Sequence, residues 1–375
     1  MNLTISLKSA LVGKYGDAGF ASIDEALASY PRSAGNDSLV VYLDDGASMQ
    51  QVGLTPVLAL NVGGLTLGIR KIRRELAMEK PSDSDSLFII GGNSIVPYWQ
   101  FQNPVQDRQV DRDAIVYSDN PYGALNDALY GEDTQDGYLN PSLPVGRLAD
   151  AAKGTAADFV KLINAVTKNH QQIRQRNGSA AVYNAQWQKQ TDSVAELLSP
   201  PLNTHAVPGY QVTSGNRSDL DRKYLYFNLH GFADESAWKG FNPVNGQFYS
   251  AVTPDSFDQA FVSGTVVYAE NCYGAWTLGK NSSNSCAMRL LDQGAAAVVG
   301  ATGLAFGSYI SPGMLLENAD ALAQLFFQNS GGMSSGLALM KARRDFLLND
   351  RISANNVFVQ KTLLQFTLLG DPTLA

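Results

Sequence analysis

An α/β fold on a mainly parallel sheet is what the residue pattern of this chain predicts, and three observations carry that expectation. Short β-branched and apolar runs end in glycine or a polar residue. Stretches with apolar residues every three or four positions lie between those runs. Finally, 45% of the 375 residues are hydrophobic, enough for a large buried core or for two compact subdomains.

The first clear strand signal is SLVVYLDDG (38–46), followed by a helical stretch LTLGIRKIRRELAME (65–79) and a second strand SLFIIGGN (86–93). A helix TAADFVKLINAVTKNHQQIRQ (155–175) comes next, then the strands KYLYFNLHG (223–231), GTVVYAENC (264–272) and GAAAVVGATG (294–303), and a helix ENADALAQLFFQ (317–328). Apolar runs closed by glycine or a polar residue suit strands buried on both faces of a parallel sheet, and the three- and four-residue spacing gives each helix an apolar stripe to cover it. The polar stretch NPVNGQFYSAVTPDSF (242–257) has turn chemistry without a period and reads as a long functional loop between two strong strands. Where IRQR runs into Asn177-Gly178-Ser179 the pattern predicts a boundary, with an amino-terminal α/β subdomain over 1–177 and a catalytic subdomain over 178–375.

A net charge of −7 and a pI near 5.0 leave no electrostatic footprint for nucleic acid, whereas an acidic surface suits cationic peptides. No uninterrupted run of 18 apolar residues occurs, so no membrane helix is expected. The opening MNLTISLKSALVGKYGDAGF is broken by Gly13, Lys14 and Gly16 and makes a poor signal peptide, so the expected location is cytoplasmic. The chain has two cysteines, Cys272 and Cys286, too few for a disulfide framework or a zinc site; the useful question is whether one is a reactive thiol with a histidine elsewhere.

Ligands of open α/β sheets bind at the carboxyl ends of strands. Two strands end in reactive chemistry: YLYFNL runs into His230-Gly231, and VVYAEN runs into Cys272 followed by Tyr273-Gly274-Ala275. Parallel neighbours would bring both ends to one edge, where a thiol attacks a carbonyl and an imidazole moves the protons. Gly231 would let the substrate approach the backbone, and the amides of Gly231 and Cys272 would donate to the tetrahedral oxyanion. The plain alternative for Cys272 is a small buried hydrophobe, and for His-Gly a turn. Cys286, at the start of CAMRLLDQG, reads as packing; His170 and His205 read as solvated surface residues.

In this order, NLHGFADESAW and YAENCYGAW resemble the gingipain-type family of clan CD cysteine peptidases, relatives of caspases, legumain and clostripain. FIIGGNSIVP, SDNPYG (118–123), LPVGRLAD (143–150) and LLQFTLLGDPTL (363–374) resemble further family segments, so the likeness spans roughly 86–375. The resemblance implies a caspase/gingipain-like three-layer α/β/α sandwich and an endopeptidase that cleaves after Arg or Lys through a Cys272/His230 dyad. It also implies a pocket acid at Asp119, with Glu270, two residues before the nucleophile, as a second candidate, and pocket walls at Trp238, Trp276 and Phe306. A turn cap is the plain role for Asp119, a strand-end polar contact for Glu270, and core packing for the aromatics. Asp107, Asp111 and Asp113 are candidates to orient the histidine. No organic or redox cofactor is expected; a structural calcium ion is compatible with the resemblance, but no EF-hand-like loop is present. A transpeptidase or ligase using the same dyad, or an inactive caspase-like scaffold, are the alternative functions. A protease of this breadth calls for latency, which points to an activating protease or self-cleavage at a basic residue in a polar loop, Arg217 before Lys280.

Overall fold

The computed structural model describes residues 1–34, 37–129, 137–171, 176–308, 316–348 and 354–375, and the final part of the 155–175 helical stretch, 172–175, lies outside them. Its strands are β1 (Asn2–Ser6), β2 (Ser38–Tyr42), β3 (Ser86–Ile90), β4 (Trp99–Gln102), β5 (Ile115–Ser118), β6 (Val145–Leu148) and β7 (Ser179–Asn184). They continue as β8 (Leu202–Val207), β9 (Tyr224–Asn228), β10 (Trp238–Asn242), β11 (Gln247–Val252), β12 (Val266–Ala269), β13 (Ala297–Ala301) and β14 (Phe366–Gly370). Ten of them form one sheet in the order β2-β1-β3-β6-β14-β13-β12-β9-β7-β8, flanked by helices, while β4-β5 and β10-β11 are separate antiparallel pairs. The expected α/β fold with a large, mainly parallel sheet is what the chain adopts.

Most strands of this sheet are buried along their length, which is why they carry apolar runs rather than alternating ones: β1, β3, β6, β7, β9, β12, β13 and β14 expose essentially nothing. Direction reverses once across the sheet, between β14 and β13, which are antiparallel, while β14 is parallel to β6. The strands of residues 1–177 therefore run opposite to β7, β8, β9, β12 and β13. The carboxyl ends of β3 and β6 point to the edge away from the carboxyl ends of β9 and β12, and that second edge is where His230 and Cys272 emerge.

Four parts of the chain differ from the sequence reading. The opening residues, with no recognised signature, form β1 and a long helix Lys8–Ala34; its period is masked because a break at Gly16 (φ 70°) divides it. Residues 242–257 are not a structureless loop. Together with Trp238–Phe241 they make the β10-β11 hairpin, paired from Trp238↔Val252 to Asn242↔Gln247. His170 is not solvated: its side chain is 11% exposed, and Nε2 lies 2.8 Å from Oδ2 of Asp371, which also accepts the Tyr30 hydroxyl. His205 likewise stacks on Tyr210, ring centroids 3.9 Å apart.

Candidate active site

β9 and β12 are parallel neighbours in the register Phe227↔Ala269, so His230 and Cys272 each leave the sheet three residues beyond a paired position. Asn271 locks the two strand ends together by accepting the Leu229 amide on Oδ1 at 3.0 Å. Beyond His230 the backbone pairs with Lys239 of β10 in both directions (2.7 and 2.9 Å), which fixes the hairpin against the histidine. Position 231 must be glycine, because a Cβ there would lie 1.9 Å from the Cys272 carbonyl oxygen. Among the described residues neither the Gly231 nor the Cys272 amide is taken up by another residue's acceptor, so both donors remain open at the point where the two backbones abut.

The thiol and the imidazole line one cavity of about 330 Å3 together with Trp187, Asn228, Glu270, Ala305 and Asp320. Cys272 Sγ accepts the Ala305 amide at 3.3 Å and sits 3.4 Å from the Ala305 carbonyl. Burial pushes this thiol above its ordinary range, with the hydrogen bond from the Ala305 amide pulling the other way. Burial also depresses His230 to about 4, so the imidazole is neutral near pH 7 and the resting pair is thiol and imidazole rather than an ion pair. His230 Nε2 has no hydrogen-bond partner among the described residues. The ring is held by aromatics instead, with Trp187 at 4.4 Å and Phe248 at 5.1 Å between centroids.

None of the three aspartates considered as orienters of the histidine bonds to it. Asp111 and Asp113 both pair with the fully buried Lys361. Asp113 also accepts the Tyr273 hydroxyl at 2.6 Å and the Leu304 amide at 2.6 Å, so it braces the cysteine side of the site. That brace matters locally, since Tyr273 directly follows Cys272 with φ 56°, a left-handed conformation that a non-glycine residue adopts at a cost of about 1–2 kcal/mol. Asp107 only closes a turn onto Gln109.

Asp119 does not reach the cavity. It is 2% exposed and grips both nitrogens of the buried Arg147, Nε at 2.8 Å and Nη2 at 2.5 Å, while Arg147 Nη1 donates to the carbonyls of Gly91 and Val96. Glu270 does reach it, at the end of β12, accepting the Tyr226 hydroxyl at 2.6 Å. Trp238 is core, packed on Phe227 and Phe257, and Trp276 edges onto Tyr117 and Tyr273. Both border a separate small recess behind Cys272 rather than the cavity. Phe306 packs on Phe358 and Lys361 and does not line the cavity, unlike its neighbours Ala305 and Gly307.

The wall the sequence reading missed is Trp187, and the missed acid is Asp320, on the helix Asn318–Asn329. Its signal was available: a carboxylate among Ala319, Ala321, Leu322 and Ala323, all buried. Cys286 is core as expected, 1% exposed, with its Sγ 3.2 Å from the Ser236 carbonyl and its thiol pushed far up by burial. Arg217 lies in a 3-10 turn and donates to the Asp255 carbonyl, and the Lys280 carbonyl accepts the Ala152 amide.

The model of peptidase family C25 matches residues 19–375. A search of curated proteins finds no match. Among solved structures, the complex of Porphyromonas gingivalis RgpB pro- and mature domains aligns with a TM-score of 0.63 at 12% identity, covering 100% of this chain and 79% of that one. The crystal structure of the Arg-specific cysteine proteinase gingipain R (RgpB) gives 0.63 at 13% identity over 100% and 77%. A third structure, described only as a protease, gives 0.62 at 12% over 100% and 77%. At such identity the likeness is one of fold.

Proposed function

The chain belongs to peptidase family C25 and is a cysteine-type peptidase, and from that premise we propose that it cleaves peptide bonds after Arg or Lys with Cys272 and His230 as its catalytic residues. The observation that carries this reading is the cavity itself, where the thiol and an unpartnered imidazole nitrogen share one lining with a buried carboxyl group, while the open Gly231 and Cys272 amides lie where the two backbones abut.

The chemistry follows from those positions. On substrate binding the Cys272 proton passes to His230 Nε2 and Sγ bonds to the scissile carbonyl carbon, so charge develops on the carbonyl oxygen. The amides of Gly231 and Cys272 donate to that oxyanion. His230 then gives its proton to the leaving amine as the C–N bond breaks, leaving a thioester. Water, deprotonated by the same imidazole, attacks the thioester, releases the acid and restores the thiol. A neutral resting pair suits this order, because the proton moves only when the nucleophile is used. Glu270 supplies the negative charge that would hold a guanidinium or ammonium at the cavity floor.

Turnover of a positional peptide library by wild type, Cys272→Ala and His230→Ala is the test. Each variant should lose nearly all activity while keeping the wild-type circular dichroism, because groups that act as a unit fail together. Loss on Cys286→Ala with retention on Cys272→Ala would overturn the assignment. Latency belongs to the same reading: incubation of the purified chain followed by amino-terminal sequencing should reveal a cut at Arg217 or, failing that, Lys280, and full activity from an uncut chain would refute it.

A further inference from the structure

The cavity floor holds two acids. Glu270 arrives from the end of β12 and Asp320 from the first turn of the helix Asn318–Asn329; they are 6% and 2% exposed. Their carboxyl groups converge on one side of Gly307, and each acts on the other's ionisation. The chain passes so close over them at Gly307 that a Cβ there would stand 2.9 Å from Asp320 Oδ2 and 3.8 Å from Glu270 Oε1. Each acid has its own support: the Tyr226 hydroxyl donates to Glu270, while the Ser308 amide donates to Asp320. Among the described residues no lysine or arginine lines the cavity, and neither acid has a cationic partner.

Two ionised carboxylates offer only acceptors, so a hydrogen bond between them requires that they share a proton. We propose that Glu270 and Asp320 together form the floor of the substrate pocket, sharing one proton when empty and releasing it to solvent when a cationic substrate side chain takes its place. The proposal rests on the reading of this cavity as the pocket for a basic residue and adds Asp320 as a second substrate-binding acid. The exchange balances in charge, because one proton leaves as one guanidinium or ammonium enters.

The surroundings favour a retained proton. Burial, and then the charge of Asp320, hold Glu270 well above the usual carboxyl range, and burial raises Asp320. The other ionisable groups facing the pair are Tyr226 and Tyr268, both raised far above their ordinary value by burial, and Cys272 and His230 at the mouth. Arg343 approaches Tyr268 from the helix Ser335–Leu348 and does not line the cavity. With His230 down at about 4 and the thiol raised, no other group among the described residues that line the cavity changes charge near pH 7.

Calorimetry on Cys272→Ala, which removes both turnover and the thiol's own titration, tests this. An amidated peptide ending in arginine and its citrulline counterpart are titrated at pH 7 in two buffers of different ionisation enthalpy. Linkage predicts release of about one proton per arginine peptide bound and none for citrulline. Adding Asp320→Asn should remove the release and weaken arginine binding about tenfold or more. That count on the unaltered floor decides the matter whether or not the second substitution folds. Arginine preferred over citrulline with no proton released, or with release that persists after Asp320→Asn, refutes the shared proton while leaving the basic pocket standing. Equal or absent binding of the two peptides refutes the basic pocket itself, and the proposal with it.

Discussion

Replacing Asp119 by asparagine should destabilise the protein without altering which residue it cleaves after. Arg147 is fully buried and holds four contacts: two with the Asp119 carboxylate and one each with the Gly91 and Val96 carbonyls, with its guanidinium carbon 4.1 Å from the Tyr98 ring centre. An amide at 119 keeps the shape but leaves the guanidinium charge uncompensated in the interior. Removing one partner of such a buried pair costs about 3–5 kcal/mol. The unfolding entropy of ~2.1 cal/mol/K per residue comes to about 0.8 kcal/mol/K for 375 residues, so the melting temperature should fall by about 4–6 °C. Thermal melts followed by circular dichroism measure the shift, and a library cleavage profile measures the specificity. The double change Asp119→Leu with Arg147→Met should recover much of the loss, because it removes both charges. A variant Asp119→Asn that melts with wild type yet loses its preference for basic residues would show that Asp119 meets the substrate, and the reasoning from its burial would fail.

Gly231→Ala should lower kcat by about 100-fold or more, since a methyl group 1.9 Å from the Cys272 carbonyl must push apart the two backbones that carry the oxyanion donors; near-wild-type turnover would place the oxyanion elsewhere. Iodoacetamide should label Cys272 slowly at pH 7 and about tenfold faster per pH unit into the alkaline range, as a thiol raised by burial demands. Rapid, pH-independent labelling between pH 6 and 8 would instead reveal a thiolate–imidazolium pair. For acid stability, His230 titrates near 4 when folded and about 6.5 when unfolded. Between those values the unfolded chain binds a proton that the folded one refuses, so stability falls as pH drops through that window. His230→Phe, seated among Trp187, Phe241 and Phe248, should therefore lose less of its urea midpoint between pH 7 and 4.5 than wild type does, and equal losses would contradict the assignment.

The local content of the chain was legible before any coordinates. Apolar runs at 223–229 and 264–269 marked buried strands because such strands carry apolar residues on both faces, and the His-Gly and Cys at their ends marked one edge because parallel neighbours share a direction. The order of short motifs likewise pointed to the family that now accounts for residues 19–375. Elements whose pattern is interrupted were not legible: the Lys8–Ala34 helix is broken at Gly16, and the β10-β11 hairpin carries exposed Gln247, Phe248 and Tyr249 where alternation fails.

What the sequence by itself determined is thus the strongly apolar strands, the cysteine and histidine at the ends of two of them and the glycine after the histidine, since each follows from periodicity or from backbone geometry within a few residues. Tertiary structure alone decided where the acids act. Asp119 lies in a polar turn and Asp320 among alanines and a leucine of a helix, yet both are buried carboxylates, and only long-range packing puts Arg147 of β6 on the first and leaves the second without a cation at the cavity floor. A side chain's charge is local, but whether that charge is neutralised within the protein or left for a ligand depends on which distant segment folds against it.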